Sequence, residues 1–242
     1  MASQRRPRRT PGRAHPRIIL TNDRDADTRF VVEDAQWGDV ALRPGRLLSF
    51  QEFRDLFSEE YLGADVQLAI GEQTILFTDM VGSTALYASR GDPAAFVEVR
   101  KHFADVFSLI GAHRGAVVKT IGDAAMGAFM DPVDAIRAAV AIQHAFSAPT
   151  GLRLRVSLNT GNCIAVRLNA NLDYFGHAVN VAAKLQSVVE AGQVVASATT
   201  CAAPGVAAHL TATGALLEDV VVPVKGLRTA VLARRWDVGT GS

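Results

Sequence analysis

Cysteine is scarce in this chain: of 242 residues only Cys163 and Cys201 carry a thiol. Two such distant cysteines exclude a disulfide framework and a cysteine-built metal site, and a reduced, cytoplasmic setting is the expectation. Long apolar runs are missing as well. No stretch approaches the roughly 18–20 residues that a membrane helix requires, so no transmembrane segment is expected. The first residues lack the apolar core of a secretory signal. There is no internal repeat and no collagen-like period. Neither sign of charge dominates, with a net charge of +1. The bias is local. Residues 1–17, "MASQRRPRRTPGRAHPR", hold six arginines, three prolines and no acid, which leaves the remainder mildly acidic. This segment reads as a basic, disordered, solvated tail, with weak anchoring to anionic lipid or nucleic acid as the alternative. No specific nucleic-acid partner is expected.

What is present is an ordinary globular composition, 49% hydrophobic and 20% charged, in a chain long enough to bury a full core. Residues 17–45 read as short strand pieces broken by Asp, Gly and Pro. "LLSFQEFRDLFSEEYLG" (47–63) predicts a helix capped by Ser49, with Leu48, Phe53, Leu56, Phe57 and Leu62 as its apolar stripe. The pattern then strengthens. "QTILFTD" predicts a strand and "STALYASRG" a short helix. A longer helix follows from Pro93. "AVVKTIGDAAMGAFM" (116–130) reads as two strands around Gly122-Asp123, a hairpin signal. Asp131 and Pro132 open another helix. "LRLRVSLNTG" alternates as a strand, "GHAVNVAAKLQSVVEAG" predicts a helix, and "QVVAS" and "VVVPVKGLRTAVLARRW" return to strand character. The order is β-α-α-β-β-α-β-α-β with closing strands. The tight central hairpin excludes a purely parallel doubly wound sheet. It predicts an α+β sandwich around a ferredoxin-like βαββαβ unit.

Within that unit the first strand ends on Asp79 and the neighbouring hairpin turns at Asp123. Two carboxylates at one sheet edge repel each other unless a cation lies between them. A hard divalent ion suits them: Mg²⁺ takes one or two protein carboxylates and completes its shell with substrate phosphates. The backbone N–H groups of Gly82, Ser83 and Thr84, at a helix start, are placed to cradle such phosphates. Downstream, "NLDYFGHAVNVAAKLQ" (171–186) sets Asp173 before an aromatic pair. It also sets Asn180 and Lys184 four apart, on one side of a helix. A polar Asn among "AVNVAA" is costly to bury without a partner.

"LFTDMVGST", "VVKTIGDAAMGAF" and "LDYFGHAVNVAAKLQ" together resemble, in order and spacing, the class III nucleotidyl cyclase catalytic domain, and in particular its bacterial adenylate cyclases. The resemblance implies a catalytic domain over 70–236, preceded by the tail (1–17) and by a short regulatory remnant with a connecting helix (18–69). It implies that Asp79 and Asp123, with the backbone carbonyl of Met80, hold two ions, Mg²⁺ or Mn²⁺, in each active site. Lys119 and Asp173 would select adenine, Asn180 would orient the ribose, and Lys225 would contact the terminal phosphates. The implied substrate is ATP, converted to cyclic AMP and pyrophosphate. A homodimer is implied too, with each site shared between chains. One position departs from the pattern: Lys184 stands where active members usually carry arginine. A slow enzyme is therefore expected. The alternatives are a catalytically silent nucleotide-binding or dimerisation module, or a cyclase for another nucleoside triphosphate.

Overall fold

A computed structural model describes residues 21, 44–57, 67–83, 87–88, 91–148, 152–168, 171–224 and 230–239. The readings of the tail and of most of 17–45 lie outside the described residues. So do Gly63 and the rest of the connecting helix beyond Phe57.

Strand β1 (Gln67–Val81) runs through the middle of the sheet. Helix α3 (Asp92–Ala112), the hairpin β2 (Ala116–Ile121) and β3 (Ala124–Phe129), helix α4 (Pro132–Ala145) and strand β4 (Arg153–Leu168) follow. β1 pairs antiparallel with β3 on one side and with β4 on the other, and β2 lies outside β3. This is the predicted βαββαβ unit. Strands β6 (Gln193–Ser197), β8 (Val231–Asp237) and β7 (Glu218–Val222) extend the sheet beyond β4, with β6 parallel to β4. β5 (Asn171–Phe175) also pairs with β4, antiparallel.

Local chemistry explains the turns. The hairpin has two central residues, Gly122 and Asp123. Gly122 is at φ +61 and Asp123 is not in the positive-φ region, as in a II′ turn, which asks for glycine first. Helix α4 starts at Pro132, and the Asp131 carboxylate accepts the Val133 N–H at 2.8 Å.

Alternation along β1 divides the core in two. Leu76 and Met80 face α3 and α4, among Val106, Ile110, Phe129, Ile136 and Ile142. Ile75 and Phe77 face the other way, among Met126, Cys163, Tyr174, Ala178 and Ala182. Helix α5 (His177–Leu185) covers this second face. Its approach is close: a Cβ on Gly161 of β4 would lie 3.1 Å from the Ala178 Cβ, so glycine keeps the helix and sheet in contact.

Four expectations are corrected. The connecting segment is two helices, α1 (Pro44–Leu47) and α2 (Gln51–Phe57), and Ser49 donates its hydroxyl back to the Arg46 carbonyl at 2.7 Å instead of capping α2. Leu56 is 74% exposed and Arg54 is buried, so the expected apolar stripe is interrupted by an arginine. "NLDYF" is a strand. The helix that follows stops at Leu185, passes through a single 3₁₀ turn and leaves Val189 extended. Two short helices, α6 (Ala198–Cys201) and α7 (Val206–Ala212), precede the closing strands and were not anticipated.

Helix α3 contributes one buried titratable group. His102 is 1% exposed, tilted against the Phe103 ring and edge-on to Phe146, with Nε2 lacking a hydrogen-bond partner among the described residues. Desolvation lowers its pKa below the ordinary 6.5, against a backbone hydrogen bond to Val99 and the charges of Asp123 and Asp105. The unfolded chain therefore takes up this proton first. The histidine contributes stability above its ordinary pKa, and that contribution is lost as pH falls below it. Melting temperature followed from pH 7.5 to pH 5.5 should fall less steeply in His102→Phe than in the parent chain.

Candidate active site

Four of the sequence-predicted residues share the α5 face of the sheet or its rim. Asp79 lies two residues beyond Phe77 on β1 and so points to the same side. Lys119 is paired with Met126, which belongs to that side as well. Asn180 and Lys184 ride on α5 itself.

Asp79 is directly opposite Arg155 of β4. The Arg155 Nε donates to Asp79 Oδ2 at 2.6 Å, and an Nη2 contact falls on the same oxygen. Both groups are only partly buried. Both arginine contacts fall on Oδ2. The β1–β3 ladder ends at Thr78 opposite Ala125, and Asp123 lies two residues past Ala125 in the hairpin turn. The two acids thus occupy the same end of neighbouring strands. Among the described residues no group of three or more His, Cys, Asp or Glu side chains forms a protein cage for a metal. Two carboxylates fit a Mg²⁺-type ion that keeps water and substrate oxygens in its shell, and not an ion held by protein alone. The Met80 side chain is buried in the helix-side core, which leaves only its backbone for a ligand role. Gly82 and Ser83 follow directly at the end of β1, with Gly82 in a turn and Ser83 at a helix start. Thr84 and Lys225 lie outside the described residues.

Lys119 and Asp173, 54 positions apart, meet. The Lys119 ammonium donates to Asp173 Oδ2 at 2.6 Å. Asp173 is buried, and its Oδ1 accepts the N–H of Tyr174 at 2.8 Å, which fixes the carboxylate plane. The ammonium also stands over the Phe175 ring, 5.6 Å from its centroid. β5 makes the meeting possible. Pairing Val166 with Asp173 carries the acid back toward the hairpin, and a β-bulge between Val117 and Lys119 re-aims the lysine.

Asn180 and Lys184 are exposed, whereas Ala178, Val181, Ala182 and Leu185 are buried. The helix is fixed from beneath: Ser157 donates to the Ala182 carbonyl at 2.8 Å and Asn159 to that of Ala178 at 2.9 Å. Asn180 is therefore not a buried polar group in search of a neighbouring helix. It is presented outward, with Lys184 one turn on.

Arg155 was absent from the sequence reading. Its signal was the alternation of "LRLRV", which puts Arg153 and Arg155 opposite in facing to Leu154 and Val156. Choosing between the two arginines requires the β1–β4 register.

With this geometry in view, residues 67–215 match the family model described as the adenylate and guanylate cyclase catalytic domain. The chain belongs to this family. As a cyclase domain it is 32% identical over 168 residues to a receptor-type adenylate cyclase of Trypanosoma brucei brucei, a match covering 50% of this chain and 13% of that protein. The chain thus spans a small part of that relative's length. Among solved structures it is similar to an adenylate cyclase from Trypanosoma brucei in its monomeric state, with a TM-score of 0.60 and 25% identity over 68% of this chain and 87% of that one. It shares the fold of the adenylyl cyclase CyaB from P. aeruginosa, with a TM-score of 0.58 and 22% identity over 71% of this chain and 95% of the other. The mixed α+β architecture is that of the cyclase family. Among the described residues, no helix is long and apolar enough to cross a membrane.

Proposed function

We propose that this cyclase domain is an adenylate cyclase, forming 3′,5′-cyclic AMP and pyrophosphate from ATP at sites shared between two copies of the chain. The observation that carries the reading is the Lys119–Asp173 pair. Adenine offers an acceptor at N1 beside a donor at N6, and an ammonium next to a carboxylate complements that edge. Guanine presents the reverse order. Both groups of the pair come from one chain and meet directly.

Divalent ions, Mg²⁺ or Mn²⁺ and two per site in this reading, would be held by Asp79, Asp123 and the Met80 carbonyl, and would polarise the 3′-hydroxyl and neutralise the triphosphate. The protein's own part is positioning and charge. Arg155 keeps the Asp79 carboxylate oriented before substrate arrives. The N–H groups of Gly82, Ser83 and Thr84 receive phosphate oxygens, and Lys225 the terminal phosphates. Asn180 holds the ribose, and Lys184 places a positive charge at the α-phosphoryl group. Outward presentation of Asn180 and Lys184 favours their service to a nucleotide bound against a second copy, in a two-fold arrangement with two equivalent sites.

In this reading the catalytic domain covers 70–236, the tail 1–17 and a connecting remnant 18–69. Two free, buried cysteines suit a reducing cytoplasm. A second reading, a silent nucleotide-binding module, is favoured by Lys184. Arginine presents a planar fork to phosphate, whereas lysine is a point charge on a flexible stem.

Purified chain incubated with Mn²⁺ and each of four nucleoside triphosphates should form cyclic AMP from ATP, and Asp79→Ala should remove at least ~10²-fold of that activity. Nucleotide binding with no turnover would support the silent module instead. Lys184→Arg should raise turnover by about tenfold or more; a decrease would mean that the site is tuned to lysine. Neither Asp79→Ala nor Asn180→Ala alone should turn over, yet a mixture of the two should regain activity, because one site of the mixed dimer keeps both groups. No recovery would count against shared sites.

A further inference from the structure

Helix α2 buries a charge where an apolar stripe was expected. Arg54 is 6% exposed, and its guanidinium lies 5.0 Å from the centroid of the Tyr174 ring. Its Nη2 donates to the Leu172 carbonyl at 2.9 Å and, more weakly, to the Val118 carbonyl at 3.4 Å. Its Nη1 is buried with no hydrogen-bond partner among the described residues. Burying a guanidinium this incompletely satisfied costs stability. An aliphatic residue would pack there more cheaply.

The targets of this arginine suggest what it does. Leu172 immediately precedes Asp173, and Val118 immediately precedes Lys119. Val118 is also the residue skipped by the bulge that aims Lys119. Two further contacts reach the same places. Gln51 accepts the Val117 N–H at 2.7 Å, and Tyr174 donates its hydroxyl to the Leu48 carbonyl at 3.1 Å. The Tyr174 hydroxyl is deeply buried, and desolvation pushes its pKa up to about 12, so it remains a donor at any working pH. The segment Leu48–Arg54 therefore holds the backbone just before each member of the base-reading pair, at 117–118 and at 172, and the Tyr174 side chain just after Asp173. Among the described residues β2 is an edge strand, and Gln51 takes up the Val117 N–H beside its bulge. A cleft of about 420 Å³ lies beside it, bordered by Gln51, Arg54, Lys119, Thr120 and Leu172.

We propose that Arg54 is a positioning residue for nucleotide recognition: by holding the Val118 and Leu172 carbonyls it sets the aim of Lys119 on Asp173, and with it nucleotide affinity and base preference. The inference rests on Lys119 and Asp173 being the base-reading pair. It deepens that reading by naming a residue outside the pair that sets its geometry. The reacting groups Asp79, Asp123, Asn180 and Lys184 receive no contact from Arg54, which predicts an effect on recognition and not on chemistry.

The test compares the full chain with Arg54→Ala, Arg54→Lys and, as a control on the exposed side of the same helix, Leu56→Ala. ATP and GTP are the two substrates, with Mn²⁺. Arg54→Ala should raise KM for ATP about tenfold and shrink the ATP-to-GTP ratio of kcat/KM by a similar factor, with kcat for ATP within about twofold of the parent. Arg54→Lys should fall between, because lysine keeps the charge and N–H donors but lacks the planar group that lies by the Tyr174 ring and aims Nη2 at the two carbonyls. Leu56→Ala should match the parent. Amide hydrogen exchange at 117–119 and 172–174 should quicken in Arg54→Ala, a local loosening that needs no turnover to be seen. If Arg54→Ala fails to fold, Arg54→Lys carries the comparison. A loss of kcat at unchanged KM and unchanged base ratio overturns the inference, as does a variant that keeps both the ratio and the exchange rates. A parent chain with no preference for ATP overturns the reading of the pair, and the inference with it. A parent that prefers ATP, beside Arg54 variants that prefer it equally, overturns the inference alone.

Discussion

Strand β1 is hydrogen-bonded on both sides, and its register against β3 and β4 decides which side chains face which layer. Thr78 opposite Ala125 brings the hairpin acid to the Asp79 end of the sheet, and Asp79 opposite Arg155 supplies the carboxylate with a cation. A slip of one residue would turn Asp79 into the helix-side core and expose Met80 in its place. That slip is opposed by burial on both faces at once: Leu76 on one, Ile75 and Phe77 on the other, each 3% exposed or less. Thr74 and Thr160, directly opposite across β1 and β4, add a buried hydroxyl contact at 2.9 Å. Apolar packing thus fixes the position of a charge.

The same logic extends to the rest of the site. Lys119 and Asp173 are far apart in sequence and come together through a hairpin, a bulge and a strand that doubles back on β4. The pairing is charge-assisted, and Asp173 is held a second time by a backbone N–H, so the carboxylate is oriented by the protein's own groups. Helix α5 carries its own polar pair on the side turned away from the sheet, anchored beneath by Ser157 and Asn159. The candidate site is therefore assembled from a hairpin, strands and a helix, with Asn180 and Lys184 turned outward. In the proposed reading, Lys184 is the departure from the family's pattern: it keeps the charge and gives up arginine's planar fork.

Much of this was legible in the chain, and the limits have physical causes. The hairpin at Gly122-Asp123 and the start of α4 at Asp131-Pro132 are written in residues whose backbone preferences are strong and local. The βαββαβ order followed from them. β5 was not legible, because "NLDYF" is short and becomes a strand only by pairing with a β4 that runs on to Leu168. Ser49 was assigned to the wrong helix end, since a hydroxyl can serve the turn before it as readily as the one after. Arg155 was hidden because its role depends on which residue lies across the ladder. Arg54 was hidden for a related reason: its partners are backbone carbonyls at 118 and 172, and no side-chain pattern announces a carbonyl. Resemblance to the cyclase family pointed to the acids and to the proposed base-reading pair, while the contacts around them came only from the fold.

Adenine recognition by the Lys119–Asp173 pair is most directly tested by removing one hydrogen-bonding group from each side of the contact. Binding of ATP is compared with that of purine riboside triphosphate, which lacks the N6 amino group, in the parent chain and in Asp173→Ala. The account predicts that the parent favours ATP by about tenfold and that the variant no longer distinguishes the two. Equal discrimination by both chains would contradict it.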